Sequence, residues 1–528
     1  MTLGAWRQKS IVLICLAASA AAQETPVVRV NTRLVEVDVL VHNKGAAVAD
    51  LKQQDFTVLD NGKPQKIASF NVVSSRTSAG KSTPLPAGVV SNRLAVPGDE
   101  TPGITVVLYD MLNTADDDQA YGRKQLLKYL DTIERGDHFA LYSLGKTIRV
   151  IQDFTDDPDR IRKAARRSGP EASADQTADA LADDLLTNAP DLGDDIANAM
   201  YANSIKEMQD EAQTNRAEIT SRALELIARH LQGLPGRKKL VWLTSSFAAQ
   251  TTDVRSHNGH ETIEHKEFGR EINKAVRALN DANVAVYPID PRPLLPPPDP
   301  GFLRPGIDAM NLFAGGTGGR AFYMINDVAA AIKTAAEDAE VTYALGFYPG
   351  DIKLDGSYHS LSVKVDRKGV NLRARKGYFA TDLKQPTEKQ SIESLRDIFA
   401  TPLEATGIGV FARMDPYARQ AGLEQLTMTF NLQELHLEKE KNTWVALIQF
   451  ATYFPSAQKP NGTEESIKIT LSEQRLRESL ENGYTLQRLV VVGNRKGDLR
   501  VAVQDRVTGA TGSVKLAVGA AHPANPAN

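Results

Sequence analysis

The sequence predicts an α/β domain, a doubly wound Rossmann-type sheet, set among all-β units. Three observations lead there. Ile104-Thr105-Val106-Val107-Leu108 is an apolar, β-branched run that continues into Tyr109 and ends at Asp110, where the polarity switches. Such a run is too short for a helix and reads as a central strand buried on both faces. Strand and helix patterns alternate through most of 104–340, the signature of a parallel sheet wrapped by helices. Before and after that stretch the chain reverts to strands and turns. Asp110 would stand at the carboxyl end of its strand, the edge where open α/β sheets bind ligands.

The chain has 528 residues, 42% hydrophobic and 24% charged, enough for several ordinary cores. A net charge of -3 excludes an extended basic surface, so no nucleic-acid partner is expected. Arg7 and Lys9 precede the apolar run Ile11 to Ala18 and the small residues Ala20-Ala21-Ala22. That run is shorter than the roughly 20 residues a membrane span needs. Residues 1–22 therefore read as a secretory signal peptide, with an exported destination in the periplasm, cell envelope or medium. The single cysteine, Cys15, falls inside it, so no disulfide is expected, and no later segment is apolar enough to cross a membrane.

Taken in order, 27–73 reads as an N-terminal β unit. Val27 to Val41 alternates, Phe56 to Leu59 forms a strand, Asp60-Asn61-Gly62-Lys63 turns, and Gln65 to Phe70 returns. These strands are too few to bury a core alone. The return to strands in 341–380 offers the completing layer, which would leave the α/β domain, 104–340, inserted in a β-sandwich. Residues 74–103, rich in Ser, Gly and Pro, read as a linker. Ala120 to Ile133 is helical, His138 to Leu144 and Ile148 to Phe154 form a hairpin, and Asp157-Pro158 starts a basic helix. Residues 168–215 hold eleven acidic residues against Lys206 and read as a solvated helical insertion, or an acidic surface for cations or a basic partner. Ile219 to Leu231 is an amphipathic helix and Leu240 to Leu243 a buried strand. Arg237-Lys238-Lys239 before it reads as a solvated turn. After Val284 to Ile289 come a proline-rich loop, Pro291 to Pro305, a short strand, Arg320 to Met324, and a helix, Asp327 to Ala339. A second linker is expected near 382–392, a C-terminal β-sandwich over 393–518, and a disordered tail over 519–528.

Several stretches together resemble the von Willebrand factor type A (VWA) domain, in the form of the VWFA-related proteins of Acidobacteria. They are DLKQQDFTVLDNGKPQKIASF (50–70), VVLYDMLNT (106–114), GDHFALYSLGKTIRVIQDFTDD (136–157), GLPGRKKLVWLTSSF (233–247), ALNDANVAVYPIDPR (278–292), GGTGGRAF (315–322), and YALGFYPGDIKLDGSYHSLSVKV with RARKGYFA (343–380). The resemblance implies a six-stranded sheet with one antiparallel edge strand, and adhesion or protein–protein interaction rather than catalysis. It also implies a site for Mg²⁺ or Mn²⁺ at the top of the sheet, built on Asp-x-Ser-x-Ser with a Thr and an Asp from other loops. Asp110 matches the first Asp and Thr114 the second Ser. Leu112 replaces the first Ser, Asn113 is an oxygen donor out of register, and Ser245 stands where the other Asp belongs. The Thr has no assignable position. The site is degenerate, and weak or absent metal binding is expected, since Mg²⁺ gains little from a sparse ligand set.

The loop His257-Asn258-Gly259-His260-Glu261-Thr262-Ile263-Glu264-His265 narrowly misses H-E-x-x-H, having Glu264 in place of the second His. Were it helical, His260/Glu264 and Glu261/His265 would pair at i,i+4, a chelating spacing. It otherwise reads as a solvated polar helix start. Gly315 to Gly319 precedes a strand, so it is no phosphate loop, and no nucleophile elbow is present. The sequence thus points to an exported, non-enzymatic binding protein with a protein partner. The alternatives are a metal-dependent hydrolase using 257–265, with His260 and His265 as ligands, and a structural envelope component.

Overall fold

The computed structural model describes residues 34–74, 85–94, 103–133, 137–169, 181–182, 184–245, 250–257, 260–267, 269–292, 300–338, 341–350, 355–381, 386–455 and 461–518. The expected signal peptide and the C-terminal tail lie outside them.

Across the central sheet the strands run Val284–Ile289, Lys238–Leu243, Ile104–Asp110, His138–Leu144 and Ile148–Thr155. The first four are parallel and the last is an antiparallel edge. Every residue of Ile104–Asp110 is buried. Alternate side chains feed two cores, as the twofold period of a strand requires. Val106 and Leu108 pack with Leu224 and Ile227 of the Asp195–Leu231 helix and with Ile272 of the Gly269–Asp281 helix. Val107 and Tyr109 pack with Leu130 of the Asp116–Leu130 helix and Ile332 of the Val328–Glu337 helix. Helices cover both faces, and this explains the unbroken apolar run. A sixth strand at 320–324 does not form; Phe322 makes one parallel bridge to Ile289. The proline-rich stretch gives way at Pro300 to a helix reaching Thr317, and Phe313 within it is fully buried.

Strand Val341–Phe347 lies between Val35–Asn43 and Ile67–Ser74, antiparallel to both. Asp355–Val365 pairs with Phe56–Asp60 in a second sheet. The two sheets share one core of Val37, Val39, Phe56, Val58, Tyr343, Leu345 and Leu361. Segments from either side of the α/β unit therefore build a single β layer pair. The Tyr343 hydroxyl ties it internally, donating to Val48 O at 2.8 Å and accepting from Leu51 N at 3.1 Å. Tyr343→Phe should cost about 1–2 kcal/mol, the worth of a buried hydrogen bond whose partners are left unpaired. An unchanged urea midpoint would contradict that.

Two further sheets bury one core between them, with Val410, Met428 and Leu486 from one and Ile448, Val501 and Leu516 from the other. Both stretches expected to be linkers are partly built into structure. Val90–Ser91 adds to the Val410–Pro416 strand, and buried Asn92 donates to Ala405 O and Ile408 O, both at 2.7 Å. Residues 388–400 form a helix, started by a Thr387/Gln390 capping box and burying Leu395 and Ile398. Arg500 donates to the carbonyls of Phe399, Thr401 and Leu403 where that helix ends.

Arg237-Lys238-Lys239 is not a solvated turn. It lies at the amino-terminal edge of the parallel strands, closed over by neighbouring elements. Lys238 and Lys239 are 2% and 3% exposed. Arg237 faces Asp38 of the β unit at 3.8 Å, both buried, and donates to Gly318 O. Arg373 pairs with Asp338, which also accepts from the Tyr287 hydroxyl at 2.7 Å. The acidic stretch is helical from Asp195 onward. Its second half is continuous with the amphipathic helix, as one helix from Asp195 to Leu231, capped by Asp194.

Candidate functional site

Asp110 ends the central strand at the carboxyl edge, called here the upper edge, and is fully buried. The chain turns at once: the amides of Met111 and Leu112 both donate to Leu144 O of the neighbouring strand. The turn is clamped by Gln119, whose Nε2 donates to Met111 O at 3.1 Å and Thr114 O at 2.8 Å. A rigid loop thereby presents Asn113 and Thr114 beside Asp110.

Both Asp110 oxygens are occupied by donors. Oδ1 accepts from Asn113 N at 3.0 Å, and Oδ2 accepts from Asn113 Nδ2 at 2.8 Å and from Trp242 Nε1 at 3.0 Å. Burial pushes the carboxyl above the ordinary range, while the Asn113 and Trp242 donors pull it back. Asn113 Nδ2 also donates to Thr220 Oγ1 at 2.8 Å, linking the loop to the long helix. Thr114 Oγ1 accepts from Ser245 N at 3.2 Å. Thr244 stands against the same carboxylate at a geometry looser than a hydrogen bond, and the buried hydroxyls of Thr244, Ser245 and Ser221 close no hydrogen bond.

The four residues read from the sequence, Asp110, Asn113, Thr114 and Ser245, are thus brought together. Thr220 and Trp242 join them. Thr220 stands within the long helix, where no loop marks it in the sequence. Trp242 reads in sequence only as a core aromatic, and it does pack edge-on to Phe313, with centroids 5.4 Å apart.

These residues do not fit a divalent cation. Mg²⁺ and Mn²⁺ need several oxygen ligands. Here there is one carboxylate, which already accepts three N–H bonds, and the oxygens beside it are neutral hydroxyls, a sparse set for such an ion. Leu112 is fully buried and contributes no ligand. What the cluster does chemically is hold three elements, loop, strand and long helix, in register around one buried anion.

His260 and His265 lie elsewhere. Gln250–His257 and His260–Glu267 pair as two antiparallel strands, and not as a helix. Their residues pair across the ladder, His257 with His260 and Thr252 with His265. In a strand, positions four apart are separated by about 13 Å, against one helical turn of about 5.4 Å. The chelating spacing of His260/Glu264 and Glu261/His265 is therefore lost. The β-branched Thr251, Thr252, Val254, Thr262 and Ile263 account for the strands.

No protein-family model and no curated protein matches the chain. Among solved structures it is similar to an aerotolerance-related membrane protein from Bacteroides fragilis, at 12% identity over 45% of this chain and 98% of that one, with TM-score 0.26. BatB from Bacteroides thetaiotaomicron matches at 12% identity over 45% and 97%, with TM-score 0.25. A von Willebrand factor type A protein from Catenulispora acidiphila matches at 10% identity over 89% and 75%, with TM-score 0.26. With identities and TM-scores this low, the fold rests on its own strand order.

Proposed function

We propose that this chain is a VWA-like binding protein that engages a protein partner through the upper edge of its α/β sheet, without a divalent cation at Asp110 and without catalysis. The observation that carries the reading is the Asp110 carboxylate, which already accepts three N–H bonds. A loop in the position of a metal-binding loop has its anion committed to Asn113 and Trp242. The antiparallel edge strand at 148–155 and the placement of 110–114 at the carboxyl edge support the VWA-like assignment. Export to the periplasm, envelope or medium is supported by the sequence of residues 1–22. No helix among the described residues is long and apolar enough to cross a membrane.

Calorimetric titration of Mg²⁺ and Mn²⁺ should give dissociation constants of about millimolar or weaker. Micromolar binding abolished by Asp110→Ala would overturn the cation-free reading. Zinc binding that survives Asp110→Ala and is lost in His260→Ala would move the chemistry to the hairpin and favour the hydrolase. The binding role is tested by cross-linking and affinity capture from the native envelope, where failure to recover any specific partner counts against it.

A further inference from the structure

The long helix outruns the sheet. It precedes Lys238–Leu243, so it runs antiparallel to the strands, and its Thr220 is bonded to Asn113 at the upper edge. Everything before Thr220 continues upward. From Ile196 to Thr220 that is about 36 Å of helix at 1.5 Å per residue. The Gln250–His257 strand of the hairpin packs against the same helix. The two make an arm standing on the edge where an open α/β sheet takes its ligands.

Two properties of the arm stand out. Ile196 and Met200, one turn apart, are 72% and 68% exposed, and Leu192 just before the helix is 49% exposed. Large apolar side chains of adjacent turns left this open are the mark of an interaction surface. The second property is charge. Glu207 and Glu211 are exposed and follow Ile196 and Met200 at helical spacing, so the four share one face. Asp191, Asp194 and Asp195 flank its upper end, and Asp116, Asp117 and Asp118 open the helix beside the Asp110 loop. Lys206 is the one basic residue between 168 and 215.

From this pattern we infer that the arm is a docking surface for a helical segment of a partner protein that carries, along one face, apolar side chains at one end to meet Ile196 and Met200 and lysines or arginines at the other to meet Glu207 and Glu211. The inference rests on the binding role proposed above and names its surface and the chemistry of its partner. Charge complementarity selects the occupant. A second copy would set acidic arm against acidic arm, and an anionic lipid surface would be repelled. A cationic helix meets both halves of the stripe, the helix-in-groove mode with charge steering added.

The test uses the full chain and a labelled helical Leu/Lys peptide of about eighteen residues, whose one face carries leucines in one half and lysines in the other, read by fluorescence anisotropy. Its controls are a scrambled Leu/Lys peptide and a Leu/Glu counterpart. The Leu/Lys helix should bind at roughly micromolar Kd. Binding should weaken with added salt. Ile196→Ser/Met200→Ser and Glu207→Lys/Glu211→Lys should each weaken it about tenfold or more, with unfolding midpoints unmoved because all four side chains are exposed. Equal binding by the variants, equal binding of the scrambled or Leu/Glu peptide, or no binding overturns the proposal. So does a dimer in sedimentation that Ile196→Ser/Met200→Ser dissolves, since the stripe would then serve a second copy. Affinity capture separates this failure from that of the wider reading. A partner held equally by wild type and both variants removes the arm and keeps the binding role, whereas no specific partner for wild type removes the binding role.

Discussion

Asp110→Ala is expected to cost the α/β unit about 4 kcal/mol, and to cost it in EDTA as much as in magnesium. The substitution removes the acceptor of Asn113 N, Asn113 Nδ2 and Trp242 Nε1 in a buried site. Losing a buried hydrogen bond costs about 1–3 kcal/mol, and the sum is reduced because Asn113 Nδ2 keeps its bond to Thr220. The sign in EDTA discriminates between two roles. An aspartate whose business is to hold a cation is a buried unpaired charge once the metal is removed, so its replacement would be neutral or stabilising. An aspartate that staples strand, loop and helix is missed whether or not metal is present. Unfolding followed by Trp242 fluorescence, in a Trp6→Phe/Trp444→Phe background, reads the affected unit directly. Asp110→Asn should fall between, at about 2 kcal/mol, because its amide turns a donor toward donors. Loss of the effect in EDTA would return Asp110 to the role of metal ligand.

The same cluster shows what a sequence can and cannot disclose. The strand at 104–110 is legible because burial on two faces leaves a run of β-branched residues, and its end is legible because Asp110 breaks that run. Asp110, Asn113 and Thr114 are neighbours in the chain. Thr220 lies 107 residues from Asn113, inside a helix, and no local pattern announces a hydrogen bond across that separation. Trp242 is legible as core, yet its indole N–H, the group that fills Asp110, leaves no trace in a hydrophobic pattern. The long helix is legible only from Ile219 onward, where it has a core to face. Above the sheet it buries little beyond Ile205, Ala212 and Ala217, so its amphipathic period fades into an acidic run. The 388–400 helix carried a readable start signal in Thr387 and Gln390, outweighed by polar composition. The basic triplet misleads for a different reason. Charged residues read as solvated unless other parts of the chain close over them, and those parts, Asp38 and the end of the Val328–Glu337 helix, are remote in sequence.

That triplet supplies the second large effect, a rise in stability between about pH 8 and pH 10. Lys238 is 2% exposed, and its Nζ donates to Leu234 O at 2.8 Å. Burial lowers its pKa to about 8, with Asp38 pulling upward but not enough. The folded value lies below the ordinary value of 10.5, so between the two the unfolded chain holds a proton that the folded chain has released. Stability therefore climbs with pH across that window and is flat, for this group, beneath it. A shift of this size is worth about 3 kcal/mol at most. Lys239, also lowered by burial, adds in the same direction. Tyr109, Tyr142 and Tyr287 oppose it from about pH 10, because burial raises their phenols and the unfolded chain then loses protons that the folded chain keeps. For these groups the two opposing slopes meet near pH 10. Lys238→Met should remove most of the rise. At pH 7 it should gain about 1 kcal/mol, since relief of the buried charge is offset by an unpaired Leu234 carbonyl. Urea midpoints at pH 7, 8.5 and 9.5 for wild type and variant decide the matter, and an equal slope in both would show that Lys238 is not the group that titrates.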